Sequence, residues 1–384
     1  MLTIDNVLTR AVDNILPSKE GLAELMAKKK ITLYQGFDPS MPSLHLGNFV
    51  GLMKLREFQK LGHRVIFLVG DFTGMIGDPT DKKATRKKLT REQVLENAKG
   101  WKNQASMLLD FDGPNAAQIK FNSEWNDKLT FKDLLEITSN FTVQQMLERD
   151  MFQDRLDNKA PIYLHEFLYP VAQAIDSVKM DVDLEIGGSD QLFNMMAGRT
   201  LMKAVSGREK YVLSMKLLVD KDGNKVGKTT GNALFMDSTP ENFYAGIMSF
   251  PDEVLPIAFE LLTEVDLTNL NEKIQKDPLK EKKRLGLEII NTLWGGKRAK
   301  EAQLAFETTF QKREFSGEAQ SIKGLATLAE TLASLPSVGS MSQAKRLLAQ
   351  GAVDVSGETV KDGSYRPRSG EEIKIGKKTF IRIR

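Results

Sequence analysis

The sequence predicts an α/β protein in which a doubly wound parallel sheet is followed by a helical domain and a small α+β domain. Three observations support this. Short apolar segments typical of buried parallel strands alternate with helical segments up to about residue 225. Helical periodicity dominates from Pro240 to Phe310. After residue 325 the pattern changes to one helix and several short strands. The length of 384 residues also exceeds what one ordinary core supports.

The first predicted domain covers residues 1–225. Ser18 is the expected N-cap of a short helix with the sequence "KEGLAELMAKKK". The segment "ITLYQGF" predicts a strand, and "GNFVGLMKLREFQKLG" predicts a helix that stops at its last glycine. The apolar stretch "HRVIFLVGDFTGMIGDPT" predicts one continuous buried strand.

The second half of this domain contains a predicted insertion. Thr90 and Gln93 form a capping-box pattern, which predicts a helix running through Leu109. Polar helical sequence at about residues 126–165 predicts a helical insertion within the sheet. Two further buried strands are expected at "AQIKFN" and "VDLEIGG".

The remainder of the chain predicts two more domains. Residues 226–320 contain a glycine- and lysine-rich loop and then a helical domain, and "QKREFSGEAQ" is the predicted linker. Residues 325–384 are expected to form the small α+β domain. Its predicted elements are the helix "SMSQAKRLLAQG" and strands in "AVDVSG" and "EEIKIGKKTFIRIR".

Composition narrows the class of protein. An apolar fraction of 41% with 27% charged residues is typical of a soluble globular chain. The chain has no cysteine, which excludes disulfides, cysteine metal sites and thiol nucleophiles, and it agrees with a cytoplasmic location. Its longest apolar runs, such as "VIFLVG", fall far short of the ~20 residues that span a bilayer, so no membrane association is expected. The N-terminus has no signal-peptide pattern.

The net charge of +3 is unevenly distributed along the chain. Residues 337–384 contain ten Lys or Arg and five Asp or Glu, so the preceding part is slightly acidic. A basic C-terminal module predicts contact with a polyanionic partner. An ordinary solvated basic surface is an equally simple explanation.

Glycines and polar residues follow several of the predicted strands. They occur in "GFDPSMPSLHLGN", "GDFTGMIGDPT" and "IGGSDQ", which should converge where ligands of open α/β sheets bind. The loop "KVGKTTGN" suits a triphosphate, but Asp222 stands where a Walker A loop needs its first glycine. In "YPVAQAID", Tyr169, Gln173 and Asp176 share one helix face and require a ligand or a polar network. An ordinary amphipathic helix is the alternative.

These motifs together resemble a known family. The segments "YQGFDPSMPSLHLGN", "GDFTGMIGDPT", "YPVAQAID", "GGSDQ" and "KVGKT" have the order and spacing of class I aminoacyl-tRNA synthetases. The chain resembles the bacterial tyrosyl-tRNA synthetases over essentially its whole length, with an S-four-like RNA-binding domain at its end. "HLGN" is similar to the HIGH signature and "KVGKT" to the KMSKS signature, although both depart from the strict pattern.

The resemblance implies tyrosine–tRNA ligase activity. ATP, accompanied by Mg²⁺, would activate L-tyrosine to tyrosyl-adenylate with release of diphosphate, and tyrosine would then pass to the 3′ end of tRNA(Tyr). The resemblance also implies a Rossmann-like catalytic domain, an anticodon-binding helical domain, and a homodimer formed through the insertion. No metal held by protein side chains is expected.

The resemblance further implies roles for individual residues. The expected catalytic residues are His45, Asn48, Lys82, Arg86, Lys225, Lys228 and Thr229. L-Tyrosine would be bound by Tyr34 and Asp176 at the phenol, by Asp78, Tyr169 and Gln173 at the ammonium, and by Gln191 near the carboxylate. ATP would be bound by Gly36, Asp38, Gly47, Gly188, Asp190 and Lys228. Taken alone, His45 is more often a packed or capping residue. For the run containing Lys82 and Arg86, a solvated loop is the less favoured alternative.

Three alternatives stay open at this point. Tryptophanyl-tRNA synthetases have related sheet motifs, but Tyr34 with Asp176 and the basic C-terminal module favour tyrosine. A synthetase-derived RNA-binding protein without catalysis should have lost its signature loops, which here retain histidine, glycines and lysines. A small-molecule nucleotidyltransferase would not need the helical and RNA-binding modules.

Overall fold

The computed structural model describes residues 2–79, 89–223, 225–226, 234–308, 320–322, 324–335, 338–376 and 379–384. The chain divides into two compact units, Met1–Ala299 and Lys300–Arg384. The predicted domain boundaries at 225/226 and 320/325 stay predictions.

The first unit contains six described strands and most of the helices. The strands are β1 (Val12–Leu16), β2 (Thr32–Phe37), β3 (Arg64–Val69), β4 (Gln118–Phe121), β5 (Leu184–Gly188) and β6 (Tyr211–Met215). The helices up to the insertion are α1 (Ile4–Val7), α2 (Lys19–Lys28), α3 (Leu46–Lys60), α4 (Thr73–Ile76), α5 (Arg91–Ala98), α6 (Trp101–Ala105) and α7 (Ser123–Asn126). The insertion contains α8 (Phe131–Thr138), α9 (Val143–Leu147) and α10 (Asp150–Asp157).

The later helices of this unit are α11 (Leu168–Met180), α12 (Leu192–Ser206), α13 (Pro240–Met248), α14 (Leu255–Leu262), α15 (Leu270–Lys276) and α16 (Pro278–Trp294). The division between the two units falls within α17 (Gly296–Phe306). Short 3₁₀ helices lie at Leu164–Phe167, Ser189–Gln191 and Asp252–Val254. The predicted helical region after Pro240 is thus confirmed.

The described strands of the first unit form a mixed sheet in the order β1-β6-β5-β2-β3-β4. All neighbouring pairs are parallel except β1 and β6, which pair antiparallel at the edge. The predicted α/β class is confirmed, and all four predicted strands are present. Strands β1 and β6 were not predicted from the sequence. Strand β1 has two exposed residues in its centre, so it lacks the continuous apolar run of a strand buried on both faces.

Two element predictions are wrong in extent. Strand β3 ends at Val69, and α4 begins at Thr73. The chain leaves the strand at Gly70. A side chain at this position would collide with Asp38, because an added Cβ would lie 2.0 Å from Asp38 Oδ1. The helix capped by Thr90 is interrupted: its capping box is present, but α5 ends at Ala98 and a separate α6 begins beyond Gly100. Glycine lowers helix stability relative to alanine, in agreement with a break there.

Other local predictions are confirmed. Ser18 accepts a hydrogen bond from the Gly21 amide at the start of α2. Gly62 has φ of +80°, beyond the end of α3, as expected for a glycine that terminates a helix. The insertion lies between β4 and β5, and Met146 of α9 belongs to an apolar cluster with residues of α11 and α12.

The second unit has its own core. Its helices after α17 are α18 (Leu328–Ala333) and α19 (Met341–Ala349), and its strands are β7 (Gln320–Ile322), β8 (Val353–Val355), β9 (Glu358–Thr359), β10 (Glu372–Ile375) and β11 (Thr379–Ile383). The described strands form a sheet in the order β7-β11-β10-β8-β9, and apolar residues from both helices and from β8, β10 and β11 form one buried cluster. This confirms the predicted small α+β fold. The predicted linker, at 311–320, lies almost entirely outside the described residues.

None of the helices in the described ranges has the length and apolar character needed to cross a bilayer.

Candidate active site

A cavity of about 290 Å³ lies at the carboxyl edge of the first sheet. Strand β2 has β3 on one side and β5 on the other, so the chain order reverses at β2. Such a reversal separates the loops that follow the strands and opens a crevice for ligands. The ends of β2 and β5, the loop after β3, the start of α3 and one face of α11 line the cavity.

All the described candidate residues line this one cavity. They are Tyr34, Gly36, Asp38, His45, Gly47, Asn48, Asp78, Tyr169, Gln173, Asp176, Gly188, Asp190, Gln191 and Lys225. The remaining candidates, Lys82, Arg86, Lys228 and Thr229, lie outside the described residues. The i, i+4, i+7 face of α11 does point at one place, as its spacing predicted.

One end of the cavity contains two fully buried polar side chains, Tyr34 and Asp176. The Tyr34 hydroxyl lies 2.9 Å from the Ser177 hydroxyl. The Asp176 carboxylate accepts hydrogen bonds from Trp125 Nε1 at 2.7 Å and from the Asn122 amide at 3.2 Å. The Asn126 amide donates a third, at 3.3 Å. Three donors therefore hold the Asp176 carboxylate in place.

The burial of Asp176 predicts a pH-dependent contribution to stability. Burial raises its pKa from 3.8 to about 8, although the Trp125 and Asn122 donors oppose the shift. The folded protein thus binds this proton more tightly than the unfolded chain does. The contribution to stability is therefore fully present below about pH 4 and is lost as the pH rises toward 8.

Asp176→Asn removes this titration. Relative to wild type, its free energy of unfolding should improve by up to about 1.4 kcal/mol per pH unit between about pH 5 and 7. Urea unfolding of both proteins at several pH values measures this slope. A difference that does not change with pH would show that Asp176 is ionised in the folded protein.

A polar network joins Asp176 to the middle of the cavity. Tyr169 donates from its hydroxyl to Asp38 Oδ2 at 2.8 Å, and Thr73 donates to Asp38 Oδ1 at 2.6 Å. Asn122 donates to Thr73 Oγ1 at 3.0 Å as well as to Asp176. Burial, and next the Asp38 carboxylate, raises the pKa of Tyr169, which keeps the hydroxyl protonated as a donor.

Asp78 connects the cavity to the insertion. Gln191 donates to Asp78 Oδ2 at 2.6 Å, and Arg149 Nη2 lies 3.8 Å from Asp78 Oδ1. The guanidinium of Arg149 lies 5.1 Å from the centre of the Phe193 ring and 5.7 Å from that of Phe152. Its burial lowers the pKa of Arg149, and Asp78 opposes this shift. An arginine from the junction of α9 and α10 thus approaches a carboxylate that lines the cavity.

The first turn of α3 presents His45 and Asn48 to the cavity. His45 is the N-cap, and its Nδ1 accepts from the Gly47 amide at 3.0 Å, so a neutral ring carries its proton on Nε2. Asn48 Oδ1 accepts from the His45 amide at 2.9 Å, which turns the two N–H donors of Asn48 away from that bond. This capping box sets the orientation of both side chains.

The loop with the second signature motif begins and ends beside the cavity. Lys225 Nζ donates to Asp190 Oδ2 at 2.6 Å, and the Val226 amide donates to the Leu218 carbonyl. On the other side of the loop, residues 234–236 pair with residues 44–46. One end of the loop is therefore anchored to Asp190 and Leu218, and the other end is anchored at the start of α3.

Several residues that shape the site were not predicted from the sequence. They are Thr73, Asn122, Trp125, Asn126, Arg149, Ser177, Glu185 and Lys210. A usable signal was present for Glu185, because an acidic residue inside an apolar strand requires a partner. The others have no local signal, since their role depends on contacts with distant residues.

The described residues contain no group of three or more His, Cys, Asp or Glu side chains suited to a metal ion.

The chain is similar to a family of known enzymes. The family model for class I tRNA synthetases (W and Y) matches residues 26–311, and the S4 domain model matches residues 328–373. The tyrosine–tRNA ligase of Thermotoga maritima is 39% identical, over 98% of this chain and 96% of that protein. The tyrosine–tRNA ligase of Carboxydothermus hydrogenoformans is 40% identical, also over 98% of this chain and 96% of that protein.

Two solved structures share the fold. A C-terminally truncated mitochondrial tyrosyl-tRNA synthetase of Aspergillus nidulans superposes with a TM-score of 0.66 at 20% identity, covering 80% of this chain and 94% of that one. The tyrosyl-tRNA synthetase of Archaeoglobus fulgidus, complexed with L-tyrosine, superposes with a TM-score of 0.60 at 20% identity. The superposition covers 78% of this chain and 100% of that one.

Proposed function

The chain belongs to the tyrosyl-tRNA synthetases, which are class I enzymes, and from this we propose which side chains of its cavity bind L-tyrosine and ATP. The enzyme activates tyrosine with ATP and transfers it to tRNA. The observation that supports the assignment is that one cavity brings together the polar face of α11 and the first turn of α3. We place the enzyme in the cytoplasm, in agreement with the absence of cysteine.

The buried end of the cavity suits the phenol of tyrosine. Tyr34 and Asp176 would hydrogen-bond the phenol oxygen, and both are already held by neighbouring side chains. Phenylalanine would leave these buried groups unpaired, a rule for which tyrosyl-tRNA synthetases are themselves the standard example.

The middle of the cavity suits the ammonium and the carboxylate. Asp78, Tyr169 and Gln173 would bind the ammonium, since they supply a carboxylate and two further oxygen acceptors. Gln191 would lie near the substrate carboxylate, to which it can donate. Because Gln191 also donates to Asp78, one contact couples the two halves of this site.

The wall formed by α3 suits the nucleotide. Gly36, Asp38, Gly47, Gly188 and Asp190 would surround adenosine and ribose. The glycines let the nucleotide approach the backbone closely.

Tyrosine activation requires that the two substrates be aligned with each other, and it requires no nucleophile from the protein. An oxygen of the tyrosine carboxylate attacks the α-phosphorus of ATP, a new O–P bond forms, and diphosphate departs with the bridging oxygen. His45 and Asn48 would donate to the phosphates at the positive end of the α3 dipole. Lys225 would stabilise the departing diphosphate, and Lys82, Arg86, Lys228 and Thr229 are proposed to assist it.

Mg²⁺ is proposed to arrive on the phosphates of ATP. The described residues offer no cluster of three ligands that would hold the ion by themselves. Mg²⁺ commonly binds through substrate phosphates and water rather than within an all-protein cage. We therefore assign no side chain to the metal and derive no step from it.

Diphosphate exchange with each of the twenty amino acids tests the assignment. The full chain should exchange diphosphate into ATP with tyrosine and only weakly with phenylalanine or tryptophan. Tyr34→Phe should reduce the preference for tyrosine over phenylalanine. Exchange that depends on tryptophan instead would contradict the proposed pocket.

The S4 domain is proposed to bind tRNA through its basic surface. Lys345 and Arg346 are exposed on α19. If they contact phosphates, Lys345→Glu with Arg346→Glu should weaken tRNA binding. The slope of the logarithm of the binding constant against the logarithm of the salt concentration should then fall by the contribution of about two phosphate contacts. Tyrosine activation should remain at the wild-type rate. Filter binding at several salt concentrations measures the slope, and an unchanged slope would place the tRNA contact elsewhere.

A homodimer is proposed to form through the insertion at residues 126–165. This segment exposes large apolar side chains, with Phe131 at 76%, Val143 at 67% and Leu164 at 80% relative exposure. Several exposed apolar residues in one segment are typical of a protein interface.

Charges placed on this segment should separate the subunits. Val143→Asp with Leu164→Asp should change the molar mass in solution from that of two chains to that of one, as measured by light scattering. Leu279→Asp is the matched control, because Leu279 is 49% exposed on α16, outside the insertion. A dimer that survives the double substitution would exclude this interface.

A further inference from the structure

A buried ion pair lies directly behind Tyr34. Lys210 contacts Glu185 of β5, and the side chains of the two are 0% and 2% exposed. The Lys210 ammonium donates to the Glu185 carboxylate, to Ser177 Oγ at 2.8 Å and to the Met195 carbonyl at 3.1 Å. An ammonium has three protons, so these contacts use all of them. The Lys210 ammonium is thus held in one position.

Ser177 connects this pair to the cavity. The Ser177 oxygen accepts a hydrogen bond from Lys210. Its own proton can be donated to either of two acceptors, Glu185 Oε2 at 3.2 Å or the Tyr34 oxygen at 2.9 Å. If Ser177 donates to Glu185, Tyr34 donates to Ser177 and presents an acceptor to the cavity. If Ser177 donates to Tyr34, the Tyr34 proton is available to a ligand. Either arrangement makes the Tyr34 hydroxyl depend on the ion pair.

The other oxygen of Glu185 binds a second wall of the cavity. Gln173 donates from its side-chain amide to Glu185 Oε1 at 2.8 Å. Glu185 is paired in register with Tyr34 across the parallel strands β5 and β2, and Glu185, Gln173 and Tyr34 all line the cavity. One carboxylate therefore constrains two side chains of the cavity.

Gly198 maintains the space that this cluster occupies. It lies in the middle of α12, where glycine lowers helix stability relative to alanine. An added Cβ would lie 2.4 Å from Lys210 Nζ, 2.7 Å from Ser177 Oγ and 3.2 Å from Glu185 Oε2. Any larger residue would thus displace the ammonium or the hydroxyl.

We propose that Ser177, Glu185 and Lys210 form a positioning unit that orients Tyr34 and Gln173 toward L-tyrosine and so contributes to the rejection of phenylalanine. This inference rests on the proposed assignment of Tyr34 and Gln173 to the amino acid. The three residues act through these neighbours, and the ATP side of the cavity should not depend on them.

Ser177→Ala tests the connection between the ion pair and Tyr34, and it is the smallest substitution that breaks this connection. It removes the hydroxyl between the ion pair and Tyr34 but leaves the pair intact. KM for tyrosine should rise about 3- to 10-fold, the factor of one lost hydrogen bond, and the tyrosine-to-phenylalanine preference should fall by a similar factor. KM for ATP should stay unchanged. Diphosphate-exchange kinetics with each substrate measure all three quantities.

A second variant tests the ion pair itself. Lys210→Met with Glu185→Gln replaces both charges by neutral groups of similar size and should shift the same parameters. The matched control is Lys54→Met with Glu57→Gln, because this pair on α3 is also buried but does not line the cavity. Whatever its effect on stability in urea unfolding, the control should leave the tyrosine-to-phenylalanine preference at the wild-type value.

The outcomes separate this inference from the assignment of the pocket. A change in selectivity with Tyr34→Phe, Ser177→Ala and the Lys210 and Glu185 double variant supports the positioning unit. If Tyr34→Phe alters selectivity but the other two variants do not, the cluster is only structural and the inference is wrong. If Tyr34→Phe also has no effect, the proposed tyrosine pocket is wrong, and the inference fails with it.

Discussion

Asp176→Ala is expected to lower kcat/KM for L-tyrosine roughly 5- to 150-fold, with KM for ATP nearly unchanged. The substitution removes the proposed phenol partner and leaves the N–H groups of Trp125, Asn122 and Asn126 without their shared acceptor. Those N–H groups lack their acceptor with and without substrate, so the effect on kcat/KM comes from the phenol, which would be buried without this partner. An unsatisfied buried group costs about 1–3 kcal/mol, and about 1.4 kcal/mol corresponds to a factor of ten. Diphosphate exchange at varied tyrosine and ATP concentrations measures the effect.

Asp176→Asn is the matched variant for this prediction. It keeps the size of the side chain and one oxygen acceptor, and its amide can donate to the phenol as a protonated carboxyl would. Its loss of activity at neutral pH should therefore be smaller than that of Asp176→Ala. If Asp176→Ala exchanges tyrosine at the wild-type rate, the phenol binds elsewhere.

Asn48→Leu is expected to slow adenylate formation roughly 10- to 150-fold, whereas the Kd for tyrosine should hardly change. Asn48 lines the part of the cavity that is proposed to bind the nucleotide, where it would donate to a phosphate in the transition state. A hydrogen bond to a charged group contributes about 1.5–3 kcal/mol. Single-turnover adenylate formation and equilibrium tyrosine binding measure the two quantities separately.

The capping box requires a control, because Asn48 also accepts from the His45 amide. Asn48→Asp keeps that oxygen acceptor but places negative charge where the phosphates would bind, so it should be at least as slow as Asn48→Leu. Asn48→His retains a neutral donor and should be nearly neutral. A wild-type rate for Asn48→Asp would mean that Asn48 serves only to start the helix.

The sequence was informative where the physical signal is local. Short apolar runs between helices predicted strands β2, β3, β4 and β5, and of these β3 and β5 are almost wholly buried. The spacing of Tyr169, Gln173 and Asp176 placed all three on one helix face, and the structure has them in one cavity. The edge strand β1 was missed, because a half-exposed strand lacks that apolar run.

The network around these residues depends on contacts that are distant in sequence. Asp38 bonds to Tyr169 across 131 positions, and Tyr34 to Ser177 across 143. Arg149 approaches Asp78 from the insertion. No periodicity connects such pairs, since their distance is set by how strands and helices pack.

By itself, the sequence determined the class of fold, the order of the signature motifs and the polar face of α11, because each depends on neighbours within a few turns or on strand burial. Only the tertiary structure decided which groups hold those side chains: the three donors to Asp176, the capping contact between His45 and Asn48, and the ion pair behind Tyr34. The physical reason is that a buried polar group must find its partner in space, and the sheet brings together residues that the chain keeps far apart.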